Sequence, residues 1–227
     1  MSLPVLQAMR KLTPRAVRLV LLPASYVTFL AGTLTSAAIF YEGKPLDPKA
    51  AILSVIQSPD ENPRGFGASA AGTAISAILL APAAAVFYMR LRKRRPLLAL
   101  AGAILLAAGI VSAVAIGILA PFTHGYSPLH VQLASAAFIG IAAGAWIHLF
   151  AIRAAPVLLV NQLGAVLLLV FLCYGPLNFD NYRFVTSLAL WEWVLCLDCG
   201  LALWALAKAI EAKTDVKMPR DRKADRE

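Results

Sequence analysis

Six long apolar blocks run through the chain: Leu19–Phe40, Ala68–Met89, Leu97–Ala120, Leu129–Phe150, Ala155–Gly175 and Val185–Ala207. Each reaches the length that crosses a hydrocarbon core, roughly 20 helical residues. A segment in lipid must satisfy its own backbone hydrogen bonds, so each block is predicted to be a helix. Pro96, Pro121, Pro128, Pro156 and Pro176 stand at block edges, where a missing N–H costs least. Pro23 lies in the first turns of its block and is expected to mark that helix's start, whereas Pro82 predicts a kink inside the second. The first block is longer than the apolar region of a cleaved signal peptide and reads as a span.

Composition agrees with this pattern. Of 227 residues, 60% are hydrophobic and 15% charged, where a soluble domain carries charge on roughly a quarter. The reading is an all-α integral membrane protein, a six-transmembrane-helix bundle at 19–207. A basic N-terminus (1–18) and a basic, disordered tail (208–227) flank it, both cytoplasmic. The net charge of +9 lies beside the ends of the blocks, where Lys and Arg meet anionic lipid and set orientation. No basic patch is interleaved with stacking aromatics, which excludes nucleic acid as a partner.

Orientation follows from the short loops. Arg90, Arg92, Lys93, Arg94 and Arg95 crowd the second loop, while 121–128 has no Lys or Arg, and Arg183 is the one cation in the last loop. The longest connection, Tyr41–Gly67, is then external. Its apolar middle, Ala50–Ile56, is expected to form a short helix or strand on the outer membrane surface, and loops of this length are often functional.

Ionisable groups inside a membrane are costly and are functional candidates. Glu192 and Asp198 both lie in the sixth block. Six positions turn a helix by about 240°, so they do not form one carboxylate pair. Glu192 should face the bundle interior, with Tyr174, Gln132 or His130 as a polar partner. Cys196 and Cys199 form a C-x-x-C at mid-membrane with no second pair, and read as small apolar packing residues; Cys173 is the third cysteine. His124 and His130, with Asp60, Glu61, Asp180 and Glu192, have ligand chemistry for zinc. No dense ligand motif supports it, so no metal and no other cofactor is expected. His148 lies roughly 27 Å along the helix from His130 and cannot share its site. Gly140 and Gly144, like Gly72 and Ser76, allow close helix approach, read as packing within the bundle. Trp191 and Trp193 flank Glu192. No Ser-His-Asp spacing, P-loop or dinucleotide glycine pattern is present, nor any acceptor sequence for N-glycosylation.

The segment Leu188-Ala189-Leu190-Trp191-Glu192-Trp193-Val194-Leu195, with its Glu-Trp pair in the last helix, resembles the DRAM/FRAG/Sfk family of six-helix membrane proteins. The resemblance extends to the N-terminal membrane domain of Cwh-type GPI-lipid remodelling proteins. The first outer loop, Leu53 to Gly67, is similar to that family's Ile-Ser-Asp loop with a following Pro-Glu and aromatic. Pro121-Phe122 with His130 is similar to its short third loop and histidine. Val55 departs from the pattern, standing where the family has an acidic residue, and Asp60 and Glu61 are the candidates to replace it. The resemblance covers roughly residues 19–207. It implies links to GPI-lipid remodelling, phosphoinositide-kinase recruitment or lysosomal autophagy, and no common reaction.

These features point to a lipid-handling or regulatory membrane factor with an outward-facing polar pocket, and to membrane lipids as partners. A protein partner and the oligomeric state stay open. The alternatives are a membrane enzyme remodelling lipid acyl chains or headgroups, and a small-solute transporter, which the absence of internal repeats disfavours. The candidate pocket residues are Gln57, Asp60, Asn62 and Arg64 in the first loop, and His124 and His130 around the third. Asp180, Arg183 and Glu192 complete the set. Arg64 and Arg183 are suited to a phosphate, and His130 with the carboxylates to orienting a hydroxyl or to acid–base work. The first loop is expected to fold over the helix ends, bringing Arg64, His130 and Glu192 to one cavity that opens sideways.

Overall fold

The computed structural model describes residues 12–42, 44, 53–123, 127–174 and 188–215. Among the described residues the chain is helical, with no strand. α1 spans Pro14–Phe40 and α2 is the short Leu53–Ile56. α3 is Phe66–Leu91, α4 Pro96–Leu119 and α5 Pro128–Ala151. α6 is Pro156–Tyr174 and α7 Leu188–Asp215. α1, α3, α4, α5 and α7 are long and apolar enough to cross a membrane. The apolar stretch found in α6 is shorter, Pro156–Leu168. The architecture is that of a multi-pass membrane protein.

The boundaries follow local chemistry. Pro96, Pro128 and Pro156 are first residues of helices, where the absent N–H is not needed. Ser127 caps α5 by accepting from the His130 N–H at 3.2 Å, and Thr13 caps α1 through the Ala16 N–H at 3.1 Å. Pro23 does not start α1. The helix begins nine residues earlier, at Pro14, and passes through a π-helical turn at Val17–Leu21. There the Leu22 N–H bonds to the Val17 carbonyl, five residues back. That wider turn gives room to the Pro23 ring, which would otherwise meet the carbonyl four residues before it. Pro82 lies within α3, which continues to Leu91. α7 runs past Ala207 to Asp215.

α4 packs most extensively on α5, α1 on α3, and α3 on α4; α7 closes the ring against α5 and α1, and α6 lies outside against α5 and α7. The closest crossings use glycine. A Cβ on Gly32 would sit 2.7 Å from the Gly72 Cα, and one on Gly140 would sit 2.8 Å from the Gly109 Cα. Both contacts are between helices of one chain, so the small-residue motifs serve packing inside the bundle.

The two ends of the bundle differ. The end holding the α3–α4 loop, the α5–α6 turn and the last turn of α7 is densely filled by Val17, Phe87, Leu106, Leu149 and Leu206. His148 belongs to this core, fully buried with its ring edge-on to Phe87. Arg18 joins α1 to α7 here through Glu211 at 2.8 Å. At the opposite end α2 and the turns after it cover the helix ends. Ile56 and Asn62 are buried rather than spread over an outer surface.

Candidate functional site

A cavity of about 480 Å³ lies inside the ring of α1, α3, α4, α5 and α7, beneath α2. That is within the usual size range for small-ligand sites, roughly 300–1,000 Å³. Its polar groups gather at the α2 end: Gln57, Thr73, His130 and Glu192. Below them the wall is mostly apolar, with Leu80, Ala113, Ile141 and Leu203, and it carries the Tyr26 ring and the bonded hydroxyls of Ser25 and Ser76. From Glu192 to Trp204 the lining follows α7 for roughly 18 Å of helix axis. Its exposed members include Pro23, Leu197, Leu201 and Trp204, all on α1 or α7. The cavity therefore opens sideways along the α1–α7 seam.

That seam is tied at its two ends by polar contacts. At the dense end Arg18 bonds Glu211, and its guanidinium lies 5.7 Å from the Trp204 ring centroid. At the α2 end Glu192 Oε2 accepts the Leu53 N–H at 2.7 Å. Between the ties Gly200 leaves space against the Tyr26 ring, 3.4 Å from where a Cβ would stand.

Glu192 sits where an interior-facing carboxylate is expected, and its partner is the backbone of α2 rather than the side chain of Gln132 or His130; the side chain of Tyr174 lies outside the described residues. Gln132 is exposed on α5, and His130 forms no ring hydrogen bond among the described residues. Gln57 is buried and donates from Nε2 to Thr73 Oγ1 at 2.7 Å, holding the turn after α2 against α3. Cys196 and Cys199 are free thiols in the wall. Asp198 faces the other way, accepting from Asn161 of α6 at 3.0 Å, so the two carboxylates of α7 belong to separate surroundings.

Three candidates of the first loop fall outside the cavity. Arg64 bonds Glu42 at 2.7 Å, with both side chains largely exposed, because it stands on the side of the 59–65 turn that faces away from the bundle. Asp60 is exposed on the same turn. Asn62 is buried for a structural purpose. Its Nδ2 donates to the Ile56 carbonyl and to Ser36 Oγ, and its Oδ1 accepts the Gly65 N–H, which binds the loop to α1. His124, Asp180 and Arg183 lie outside the described residues. Among the described residues no group of His, Cys, Asp and Glu side chains is placed to hold a metal.

No family model, curated protein or solved structure matches the chain. The site therefore has to be read from its own chemistry. Its carboxylate, imidazole and amide stand at one end, and among the described residues no lysine or arginine is in its wall. Tyr26, Thr73 and the bonded pair Ser25–Ser76 (2.9 Å between hydroxyls) were not among the expected residues. Their signal was available: Thr73 and Ser76 are one turn apart within an apolar block, so they share a helix face.

Proposed function

We propose that the protein binds a membrane amphiphile in this cavity. Its apolar chain lies between α1 and α7, and its polar head lies at Gln57, His130 and Glu192. The supporting observation is the shape of the polarity: a polar cluster at one end, a mainly apolar body, and an opening along a single helix seam. A water-soluble ligand would find no reason for the apolar length, and a plain packing defect would not collect Gln57, Thr73, His130 and Glu192 at one end. Among the described residues the wall has no cation, which favours an amine or a hydroxyl head over a bare phosphate. Glu192 and His130 also lie in segments that carry the resemblance to the DRAM/FRAG/Sfk family, which gives that resemblance a lipid-facing site.

The reading includes six spans with both termini in the cytoplasm. Arg15, Arg18, Arg90, Arg92, Lys93, Arg94, Arg95, Arg153 and Lys208 lie at the dense end of the bundle, and the α2 end mixes Glu42, Lys44, Asp60, Glu61 and Arg64. That asymmetry supports an orientation with the dense end inside. The cavity's polar end then lies at outer-leaflet depth.

The test is binding of fluorescent single-chain amphiphiles, with amine, hydroxyl or phosphate heads, to the purified protein in nanodiscs. Ala134→Phe, which fills the cavity beside His130, should abolish binding of the preferred ligand. Glu192→Gln should weaken an amine ligand by roughly tenfold or more, the scale of a charged hydrogen bond, and a hydroxyl ligand much less. Equal binding by wild type and Ala134→Phe would remove the cavity from the function. An enzyme reading draws on His130, whose ring lines the same polar end as Glu192. Turnover of the bound lipid, lost in His130→Ala with binding retained, would establish it.

A further inference from the structure

A second pocket, of about 660 Å³, lies at the opposite end of the bundle from α2. We infer that it binds a phosphate-bearing anionic group. Six cations line it from three separate parts of the chain: Arg90, Lys93, Arg94 and Arg95 at the α3–α4 loop, Arg153 after α5, and Lys213 in the last turn of α7. Its floor is apolar, including Leu91, Ile152 and Ile210, and among the described residues no carboxylate lines it. Among the described residues no carboxylate pairs with any of the six. Like charges gathered in a concave site with a low-dielectric floor raise the local potential, and a bound anion relieves it.

Positive charge at this end also serves orientation, but orientation needs only nearness to a helix end. The structure shows more than nearness. Lys213 donates from Nζ to the Ile152 carbonyl, which docks the end of α7 on the α5–α6 turn and places Lys213 next to Arg153. Arg153 itself has φ 51°. It stands at the position after α5 where the Ala154 N–H bonds to the Leu149 carbonyl and its own N–H to that of Phe150. Glycine is the usual occupant of that left-handed position, and arginine adopts it at a cost. The cost is explained if the guanidinium is needed where this backbone puts it. Four of the six cations are arginines, whose planar forks bind phosphate oxygens in pairs, so an anion with several oxygens is the fit. The α4 N-terminus, which begins at Pro96 beside Arg95 with no side-chain cap, adds the positive end of a helix dipole at the rim.

A phospholipid head and a soluble phosphate share this chemistry, and two experiments separate them. The full chain is reconstituted in phosphatidylcholine nanodiscs doped with spin-labelled phosphatidic acid or spin-labelled phosphatidylcholine, and retention is read by electron paramagnetic resonance. In parallel, inorganic pyrophosphate is titrated into the protein in neutral detergent. The paired variants are Arg153→Gln with Lys213→Gln, in the pocket, and Arg92→Gln with Lys208→Gln, outside it. The control pair removes the same charge from side chains whose cations rest on Tyr88 and Trp204. Phosphatidic acid retained over phosphatidylcholine, and weakened about tenfold or more by the pocket pair but less than about threefold by the control pair, supports a lipid head. Pyrophosphate binding with the same variant pattern, and no lipid preference, supports a soluble phosphate at the same site. Equal losses in both pairs would reduce the pocket to diffuse surface charge and overturn the inference, as would no binding of either probe. If the pocket pair unfolds, Arg94→Gln alone should still weaken the preferred probe more than Arg92→Gln does.

Discussion

Replacing Glu192 by alanine should unlatch α2 without unfolding the bundle. The carboxylate accepts the Leu53 N–H at 2.7 Å, and that amide has no other partner shown. Removing the acceptor of a buried donor costs about 1–3 kcal/mol. The rest of the cap is held independently. Ser36 Oγ donates to the Ile56 carbonyl at 3.0 Å, and Asn62 bonds α1 and the Ile56 carbonyl together. The loss should thus stay at the start of α2. Hydrogen exchange of the Leu53 amide should quicken roughly five- to 150-fold, the range that 1–3 kcal/mol of local opening gives. Amides of α4 and α5 should be unchanged. Glu192→Gln keeps an oxygen acceptor and should lie between wild type and alanine. Asn62→Ala should instead free the whole cap, Ile56 included. The assay is hydrogen–deuterium exchange with peptides covering 53–65. Unaltered exchange at Leu53 in Glu192→Ala would refute the tie between α7 and α2, and with it the account of how the seam is closed at that end.

Gly140→Val should destabilise the α4–α5 crossing by about 1–3 kcal/mol, because even a Cβ meets the Gly109 backbone at 2.8 Å and backbone cannot step aside. Gly164→Ala, with nothing within 4 Å, should be neutral or slightly stabilising, and thermal melts in detergent compare the two. Arg153→Gly should raise stability by up to about 1 kcal/mol by relieving the left-handed arginine, while weakening phosphate-probe binding. A melt and a titration on the same sample would show the two effects with opposite signs, and a variant no more stable than wild type would count against strain at this residue. Arg92→Cys, in a background without native cysteines, should resist a membrane-impermeant thiol reagent added to intact cells. Labelling from outside would reverse the orientation.

The helices were legible because lipid leaves the backbone one solution, and block length and edge prolines mark its ends. Predicted and observed bounds differ by a few residues at most positions. The misses have local causes. Pro23 was assigned to a helix start because a proline inside a helix is expensive, and the sequence does not announce the π turn that accommodates it. α7 extends past Ala207 because Lys208 and Lys213 find places at the helix end, the first on Trp204 and the second on the Ile152 carbonyl. Charge alone reads there as the beginning of a tail. In the site, Glu192, His130 and Gln57 were legible as polar residues at the depth of one helix end. Arg64 and Asn62 were assigned to the same place by loop membership, and membership does not say which way a turn faces. Arg64 spends its charge on Glu42 at the surface, and Asn62 spends its amide on the loop itself.

That sorting changes the chemistry of the site. With Arg64 the cavity would have been a phosphate cradle; without it the polar end is a carboxylate, an imidazole and an amide, which suits a different head. The clustered cations that no described carboxylate pairs lie at the other end of the bundle, around Arg153 and Lys213. The fold thus separates two polar groupings along its axis, Glu192 with His130 and Gln57 at one end and the cation cluster at the other, with the dense core of Phe87, Leu106 and Leu149 between them. The α1–α7 seam joins the two levels, since Glu192 ties it at one end and Arg18–Glu211 at the other. A ligand head that takes Glu192 from the Leu53 N–H exchanges one hydrogen bond for another. The Leu53 N–H left behind then sets the cost of entry at about 1–3 kcal/mol, and the α2 end of the seam loses its tie. Opening at that end needs no unfolding of the core, because the Arg18–Glu211 contact and the packing of Leu206 against its neighbours hold α7 in place.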